Sequence, residues 1–183
     1  MSKSFDELWE FITKRRLQVV QERSELEHVF NLIQGCESYL EIGTAEGDSL
    51  YVLSHALRPN SKITSVDLGE TGTRTLAEQT FQYLMPLHSV AIYRGNSVDS
   101  GTYPKKEAHD VVLIDGGHDY DTVLSDCRTY APLATKYLLF HDIKLPDVAR
   151  AVREFLDDYS KNKWCYREFV NSQTMGYGIV EIA

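Results

Sequence analysis

A glycine-bearing loop, with an acidic residue just before it, is the part of the sequence best suited to bind a ligand. The segment YLEIGTAEGDSL (residues 39–50) runs from an apolar stretch into Gly43 and, four residues later, Gly47. Gly43 lets the chain turn tightly, and Gly47 lets the backbone approach a ligand that would clash with a Cβ atom. Glu41 places negative charge beside the loop, which suits an ammonium or sulfonium group and disfavours phosphate. The ligand-binding candidates of this segment are Glu41, Gly43, Thr44, Gly47 and Ser49.

Further polar residues follow the next two apolar runs. Asp67 ends SVD, 24 residues after Gly43, close to the spacing of about 20 expected for an acid that accepts hydrogen bonds from ribose hydroxyls. Asn96 and Ser97, in RGNSVD, either contact an adenine edge or cap a following helix. The glycine spacing is GxxxG and lacks the middle glycine of GxGxxG, which weighs against the pyrophosphate of a dinucleotide. A ligand with a cationic group and a ribose is therefore favoured.

Seven short apolar runs must position these residues, and most of them are separated by helical stretches, which is typical of a mostly parallel sheet. The predicted strands are Tyr39–Gly43, Ile63–Asp67, Val90–Arg94, Val111–Asp115, Tyr137–His141, Trp164–Val170 and Tyr177–Ile182. The predicted helices between them are Gly47–Leu57, Arg74–Met85, Tyr120–Tyr130 and Pro146–Tyr159. Only NSQTMG separates the last two strands, which is too short for a parallel crossover of about a dozen residues. The last pair is therefore predicted to be an antiparallel hairpin.

The segment before the sheet carries helix signals. Ser4 and Glu7 have capping-box spacing, and so do Ser24 and Glu27, each ahead of apolar residues at helical intervals. Gly35 ends the second pattern. Two consecutive helices or one bent helix fit this segment.

Length and composition limit the classes of protein that remain. The 183 residues are 43% hydrophobic and 25% charged, as in an ordinary globular domain. We expect one α/β domain over residues 1–183, with a helical segment at 1–35 and the core at 36–183. The net charge of −8 opposes binding to nucleic acids and to anionic membranes. Neither a membrane span nor a signal peptide is recognisable, so a cytoplasmic location is expected.

The motifs EIGTAEGDS, SVDLGE, RGNSVD and HDVVLIDGGHDY, in this order, resemble successive motifs of the class I S-adenosylmethionine-dependent methyltransferases. The resemblance covers roughly residue 39 to the C-terminus. It implies a Rossmann-like three-layer sandwich whose seven-stranded sheet has its last strand inserted antiparallel. It also implies that the glycine loop contacts the methionine part of the cofactor, that Asp67 contacts the ribose, and that Asn96 and Ser97 contact the adenine.

Within that class, IDGGHDYDTVLSD and LLFHDI are similar to small O-methyltransferases typified by macrolide-sugar and cephalosporin-cluster enzymes. Carried over from the sugar enzymes, the resemblance implies that Asp115 and Asp142 bind magnesium and that His118 is the general base, with Asp115 also beside the cofactor. His141 stands where the metal-dependent members carry an acid, so we count it among the metal candidates, although imidazole suits magnesium poorly. A metal-free polar floor under the methyl group stays open, as does a loop or helix-capping role for His118.

The expected function is S-adenosylmethionine-dependent O-methylation of a small molecule such as a sugar hydroxyl. Two alternatives stay open: a nicotinamide-dependent oxidoreductase on a related sheet, and a non-catalytic regulatory or interaction domain that keeps the cofactor pocket. The leading helices, with Trp9, Phe11 and Phe30, either cover the cofactor site, pack on a second chain to form a homodimer, or only cap the sheet.

Overall fold

The described part of the chain folds into one seven-stranded sheet with helices on both faces. The structure is a computed structural model that describes residues 3–15, 21–69, 74–159, 164–170 and 175–182. The strands are β1 (Ser38–Ile42), β2 (Lys62–Asp67), β3 (Ser89–Arg94), β4 (His109–Ile114), β5 (Ala134–His141), β6 (Trp164–Phe169) and β7 (Tyr177–Ile182). Their spatial order is β3-β2-β1-β4-β5-β7-β6. The first five strands are parallel, and β7 pairs antiparallel with both β5 and β6, so the predicted C-terminal hairpin is confirmed.

Within the described ranges, six α-helices complete the fold. They are α1 (Phe5–Arg15), α2 (Arg23–Leu32), α3 (Asp48–Ser54), α4 (Arg74–Leu84), α5 (Tyr120–Tyr130) and α6 (Pro146–Tyr159). Helices α1 to α4 contribute to one apolar core, and α5 and α6 contribute to a second core. The sheet lies between the two cores, so the predicted three-layer α/β sandwich is confirmed.

The central strands are buried on both faces, which explains their continuous apolar character. Along β4, Val111 and Leu113 belong to the core of the α1–α4 face, whereas Val112 and Ile114 belong to the α5–α6 face. This alternation follows from the two-residue period of a strand. Apolar runs of this kind were the signal that identified the strands in the sequence.

The residues described in the N-terminal segment form two separate helices, not one bent helix, because Glu22, just before α2, has an extended backbone. The first capping box is confirmed, because the Ser4 amide donates to Glu7 Oε2 (2.7 Å) and the Glu7 amide donates to Ser4 Oγ (3.3 Å). The second is wrong: α2 begins at Arg23 and its N-cap residue is Glu22. Ser24 therefore lies inside the first turn of α2.

These two helices cover one face of the sheet. Apolar side chains of both helices, including Leu8, Ile12, Leu26 and Val29, are fully buried in the α1–α4 core. The homodimer stays a prediction. Among the residues described, no helix has the length and apolar character that crossing a membrane requires.

Candidate cofactor and acceptor site

The candidate residues meet at the carboxyl ends of the parallel strands, around the boundary between β1 and β4. At this boundary the strand order changes direction, which is where α/β sheets open a crevice for ligands. Gly43 follows β1 with φ +86°, and an ideal Cβ atom there would lie 2.1 Å from the carbonyl oxygen of Asp115. The Asp115 amide also donates to the Ile42 carbonyl (2.9 Å). Gly43 is therefore required because the ends of β1 and β4 pass so close to each other.

Gly47 has a packing role in addition to the ligand contact predicted for it. It precedes α3 with φ +84°, and a Cβ atom there would lie 3.0 Å from the side chain of Thr80. The missing Cβ thus makes room for α4 as well as permitting the left-handed backbone. Nothing in this contact requires a ligand.

Asp67 organises the loop after β1. Its Oδ2 accepts hydrogen bonds from the amides of Thr44 and Ala45 (2.9 Å each), and its Oδ1 accepts one from the amide of Gly69 (2.6 Å). A carboxylate has about four acceptor positions, so one remains in addition to these three bonds. Asp67 is thereby held at the carboxyl end of β2, beside the glycine loop.

Among the described residues, two cavities of substantial volume lie at this edge of the sheet. The larger has a volume of about 370 Å³, and the predicted site residues that line it are Gly43, Asp67, Asn96, Ser97 and Asp115. The smaller has a volume of about 200 Å³, and the predicted site residues that line it are Gly43, Thr44, Gly47, Ser49, Asp115, His118, His141 and Asp142. Gly43 and Asp115 line both cavities, so the two cavities adjoin at this pair.

Glu41 is the predicted site residue that lines neither cavity. It is fully buried beneath the loop, and its Oε1 accepts hydrogen bonds from Ser49 Oγ and from the Tyr39 hydroxyl. Burial raises the pKa of Glu41 to about 8. The hydrogen bond from Ser49 opposes this increase, whereas the nearby Asp115 adds to it. At neutral pH Glu41 is mostly protonated, so the structure does not support the negative charge expected beside the loop.

Asn96 and Ser97 lie in a turn, and no helix follows them before β4. Asn96 Oδ1 accepts from the amide of Val98 (3.3 Å). The carbonyl oxygen of Ser97 accepts from the hydroxyl of Tyr130 (2.7 Å). The helix-capping alternative is therefore wrong for both residues, and the turn places them at the larger cavity.

Two histidines and two aspartates lie together at the smaller cavity. His118 Nε2 is 2.8 Å from Asp142 Oδ2, and His141 Nδ1 is 3.0 Å from Asp115 Oδ1. His118 is 56% exposed, whereas His141 is only 5% exposed. Asp119, not His118, caps α5, because its side chain accepts from the Thr122 amide. The helix-capping alternative for His118 is therefore wrong.

A family model described as a methyltransferase domain matches residues 40–143, which is more than half of the chain. The match runs from within β1 to just beyond β5 and leaves out β6 and β7. The chain belongs to this methyltransferase family. The predicted family resemblance is confirmed, and the alternative of a nicotinamide-dependent oxidoreductase has no support.

Solved structures share the fold of this methyltransferase domain. An O-methyltransferase from Bacillus cereus, solved in complex with SAH, has a TM-score of 0.73 at 15% identity, with 98% of this chain and 90% of that chain covered. The O-methyltransferase TomG from Streptomyces achromogenes, solved with SAM, has a TM-score of 0.71 at 15% identity, with 100% and 92% covered. The uncharacterized protein R132 of Acanthamoeba polyphaga mimivirus is 27% identical over 143 residues, and the match spans 72% of this chain and 65% of that relative.

The site residues that were missed in the sequence include two from the N-terminal segment. Gln21 donates through Nε2 to Asp115 Oδ2 (3.2 Å) and accepts through Oε1 from the Tyr177 hydroxyl (3.0 Å). Glu25 of α2 is 1% exposed and accepts from the Gly176 amide (2.8 Å). An acidic residue on the apolar face of an amphipathic helix was a signal for Glu25, whereas no local pattern identifies Gln21.

His141 does not suit the metal role predicted for it. Burial disfavours its charged form, but Asp115, Glu25 and Asp142 outweigh burial and raise the pKa of His141 to about 10. Its Nε2 lies 3.8 Å from Glu25 Oε2. A histidine must be neutral to bind a metal, so His141 acts here as a buried cation among carboxylates.

The remaining predicted metal ligands are Asp115 and Asp142. The structure adds His118, which was predicted as the general base, and the ligand atoms of these three residues lie within 4.8 Å of one another. Asp115 is already hydrogen-bonded to Gln21 and His141, and Asp142 is paired with His118. Magnesium requires several hard oxygen ligands in octahedral geometry. This donor set offers two carboxylates that are both engaged by other groups, so it fits magnesium poorly.

Proposed function

We propose that this methyltransferase transfers the methyl group of S-adenosylmethionine to a hydroxyl oxygen of a small molecule. The observation that carries the proposal is the meeting of the two cavities at Gly43 and Asp115. The nucleoside would occupy the larger cavity, with its ribose at Asp67 and its adenine at Ser97. The sulfonium would then lie at the junction, and the acceptor would enter through the smaller cavity.

The solved relatives support this choice of cofactor and of reaction. The Bacillus cereus relative is an O-methyltransferase in complex with SAH, and TomG is an O-methyltransferase in complex with SAM. In our proposal this chain uses the same donor and the same type of acceptor atom.

His118 is proposed as the general base. Its Nε2 lies 2.8 Å from Asp142 Oδ2, so Nε2–H donates to that carboxylate and Nδ1 accepts the proton of the acceptor hydroxyl. The hydroxyl oxygen attacks the methyl carbon, the carbon–sulfur bond breaks, and its electron pair stays on sulfur. The products are a methyl ether, S-adenosylhomocysteine and a proton that His118 releases to water. Alignment at about 3–3.5 Å supplies much of the rate.

The smaller cavity favours a polar acceptor. Its lining includes the polar side chains of Gln21, Glu46 and Asp142. Among the described residues that line it, none is phenylalanine, tyrosine or tryptophan. Hydroxyl groups of a sugar would find hydrogen-bond partners there, whereas a phenolic ring would lack aromatic surfaces to pack against. We therefore propose a sugar or similar polyol as the acceptor.

Methyl transfer from labelled S-adenosylmethionine to a panel of sugars and phenols tests this function. The reactions are run with added magnesium and, separately, with a chelator. We expect transfer to one or more sugars at a rate that chelation does not change. Loss of transfer on chelation, restored by magnesium, would contradict the metal-free mechanism. Binding of S-adenosylhomocysteine without transfer to any acceptor would instead favour a non-catalytic domain.

A further inference from the structure

The half-buried amide of Gln21 lies in the smaller cavity and has no role yet in the proposed reaction. Gln21 precedes α2 and lines this cavity together with the loop after β1, the start of α3 and the carboxyl ends of β4 and β5. It is the residue that the described part of the N-terminal segment contributes to the lining. An amide can both donate and accept hydrogen bonds, so its function depends on what its two ends already contact.

Both ends of the Gln21 amide are held by fixed partners. Nε2 donates to Asp115 Oδ2 (3.2 Å), and Oε1 accepts from the Tyr177 hydroxyl (3.0 Å). A carboxylate only accepts hydrogen bonds, so the nitrogen end must face Asp115 and the oxygen end must face Tyr177. Tyr177 is fully buried, and its ring packs against that of His141 with centroids 4.6 Å apart. The sheet therefore fixes the direction of the amide.

One donor of this oriented amide remains for a ligand. The amide nitrogen carries two hydrogens, and within the described ranges Asp115 is the one group that accepts from it. The proposed base lies close by, because the ligand atoms of Asp115 and His118 are within 4.8 Å of each other. The smaller cavity thus places a proton acceptor, His118, near an oriented hydrogen-bond donor, Gln21.

We propose that Gln21 is a specificity-determining residue whose second N–H donates to one hydroxyl group of the acceptor while another hydroxyl group gives its proton to His118. The inference rests on the proposed function, which places the acceptor in the smaller cavity. It narrows the acceptor to a polyol whose two hydroxyl groups reach Gln21 and His118 together. An alcohol with a single hydroxyl group would leave the Gln21 donor without a partner, which is how a site rejects an analogue that lacks one hydroxyl group.

The sugar that the wild type methylates most efficiently in the labelled-methyl panel, together with its monodeoxy analogues, tests the inference. Each analogue lacks one hydroxyl group, and kcat/KM is measured for all of them. In the wild type, loss of the hydroxyl group that Gln21 binds should lower kcat/KM about tenfold, the value of one net hydrogen bond. Gln21→Leu should lower kcat/KM by a similar factor for the complete sugar and cause no further loss for that analogue.

A second glutamine of the N-terminal segment provides the matched control. Gln34 is exposed and lines neither cavity, so Gln34→Leu should keep the wild-type kcat/KM for every analogue. The dissociation constant of S-adenosylhomocysteine should be the same in the wild type and in both variants, because Gln21 is proposed to contact the acceptor and not the cofactor.

A role of Gln21 through Asp115 alone would give a different pattern. Gln21→Leu would then lower kcat/KM by one common factor for the complete sugar and for every analogue, and this result would overturn the inference. Undiminished methylation by the wild type of every analogue that keeps the reactive hydroxyl group would also overturn it, even if Gln21→Leu does not fold. Absence of transfer to any sugar would contradict the proposed acceptor as well, whereas a common factor on a methylated sugar would overturn the inference alone.

Discussion

Replacing Gly43 by alanine should damage the site far more than the same change at Gly35. Both glycines have left-handed backbones, with φ +86° and +78°. Each alanine therefore carries a backbone penalty of about 1–2 kcal/mol. At Gly35 no atom lies within 4 Å of the added Cβ, so we expect no steric cost there beyond the backbone penalty.

At Gly43 the added methyl group also collides with backbone. Its Cβ would lie 2.1 Å from the Asp115 carbonyl oxygen and 2.5 Å from Gly116 Cα, where ordinary contact begins at 3.4 Å. Backbone atoms cannot rotate away, so the ends of β1 and β4 must separate and the Asp115–Ile42 hydrogen bond must lengthen. Overpacking of this kind adds about 1–3 kcal/mol, which gives a total of about 2–5 kcal/mol for Gly43→Ala.

Urea denaturation of the two variants and the wild type measures this difference, and calorimetry measures the affinity for S-adenosylhomocysteine. We expect Gly43→Ala to lower the free energy of unfolding by about 1–3 kcal/mol more than Gly35→Ala. Gly43→Ala should also weaken binding by about tenfold or more, since about 1.4 kcal/mol corresponds to each factor of ten. Equal stability and equal affinity in the two variants would refute the close approach of β1 and β4 as the reason for Gly43.

Three further predictions concern the histidines and the metal. His118→Ala should lower turnover in the labelled-methyl assay by about 100- to 10,000-fold. The dissociation constant of S-adenosylhomocysteine should not change. Turnover at the wild-type rate would exclude His118 as the base. The pKa of His141 is raised to about 10, so its charge stabilises the fold fully below about pH 6.5 and this contribution is lost as pH rises towards 10. Thermal unfolding from pH 6 to 10 should therefore show a steeper loss of stability in the wild type than in His141→Gln, and parallel curves would contradict the buried cation. Chelator treatment should leave the melting temperature unchanged, whereas a decrease that added metal reverses would indicate a bound ion.

Most of the sheet could be predicted from the sequence because strands and helices follow local patterns. The helices Tyr120–Tyr130 and Pro146–Tyr159 have the predicted bounds. The antiparallel pairing of β7 with β6 could be predicted because the connection between these two strands is too short for a parallel crossover. Helix α3 ends at Ser54, three residues before the predicted end. The predicted helix was too long because the apolar pattern continues through the buried turn at Ala56 and Leu57.

The candidate site was less predictable because its electrostatics depend on tertiary contacts. The motifs predicted that Asp67, Asp115 and His118 lie at one edge of the sheet, because they follow parallel strands whose carboxyl ends meet there. The burial of Glu41 and the charge of His141 depend on neighbours that the spacing does not reveal. Gln21 contacts Asp115 across 94 residues of sequence, and no local pattern reports a contact of that kind.

Calorimetric titration with S-adenosylhomocysteine is the decisive test of cofactor binding by this methyltransferase. We expect one molecule to bind per chain. Asp67 holds the glycine loop and lines the larger cavity, so its replacement by alanine should abolish this binding. Absence of any binding heat over a range of temperatures, in wild-type material whose circular dichroism shows the folded α/β domain, would contradict the expected binding.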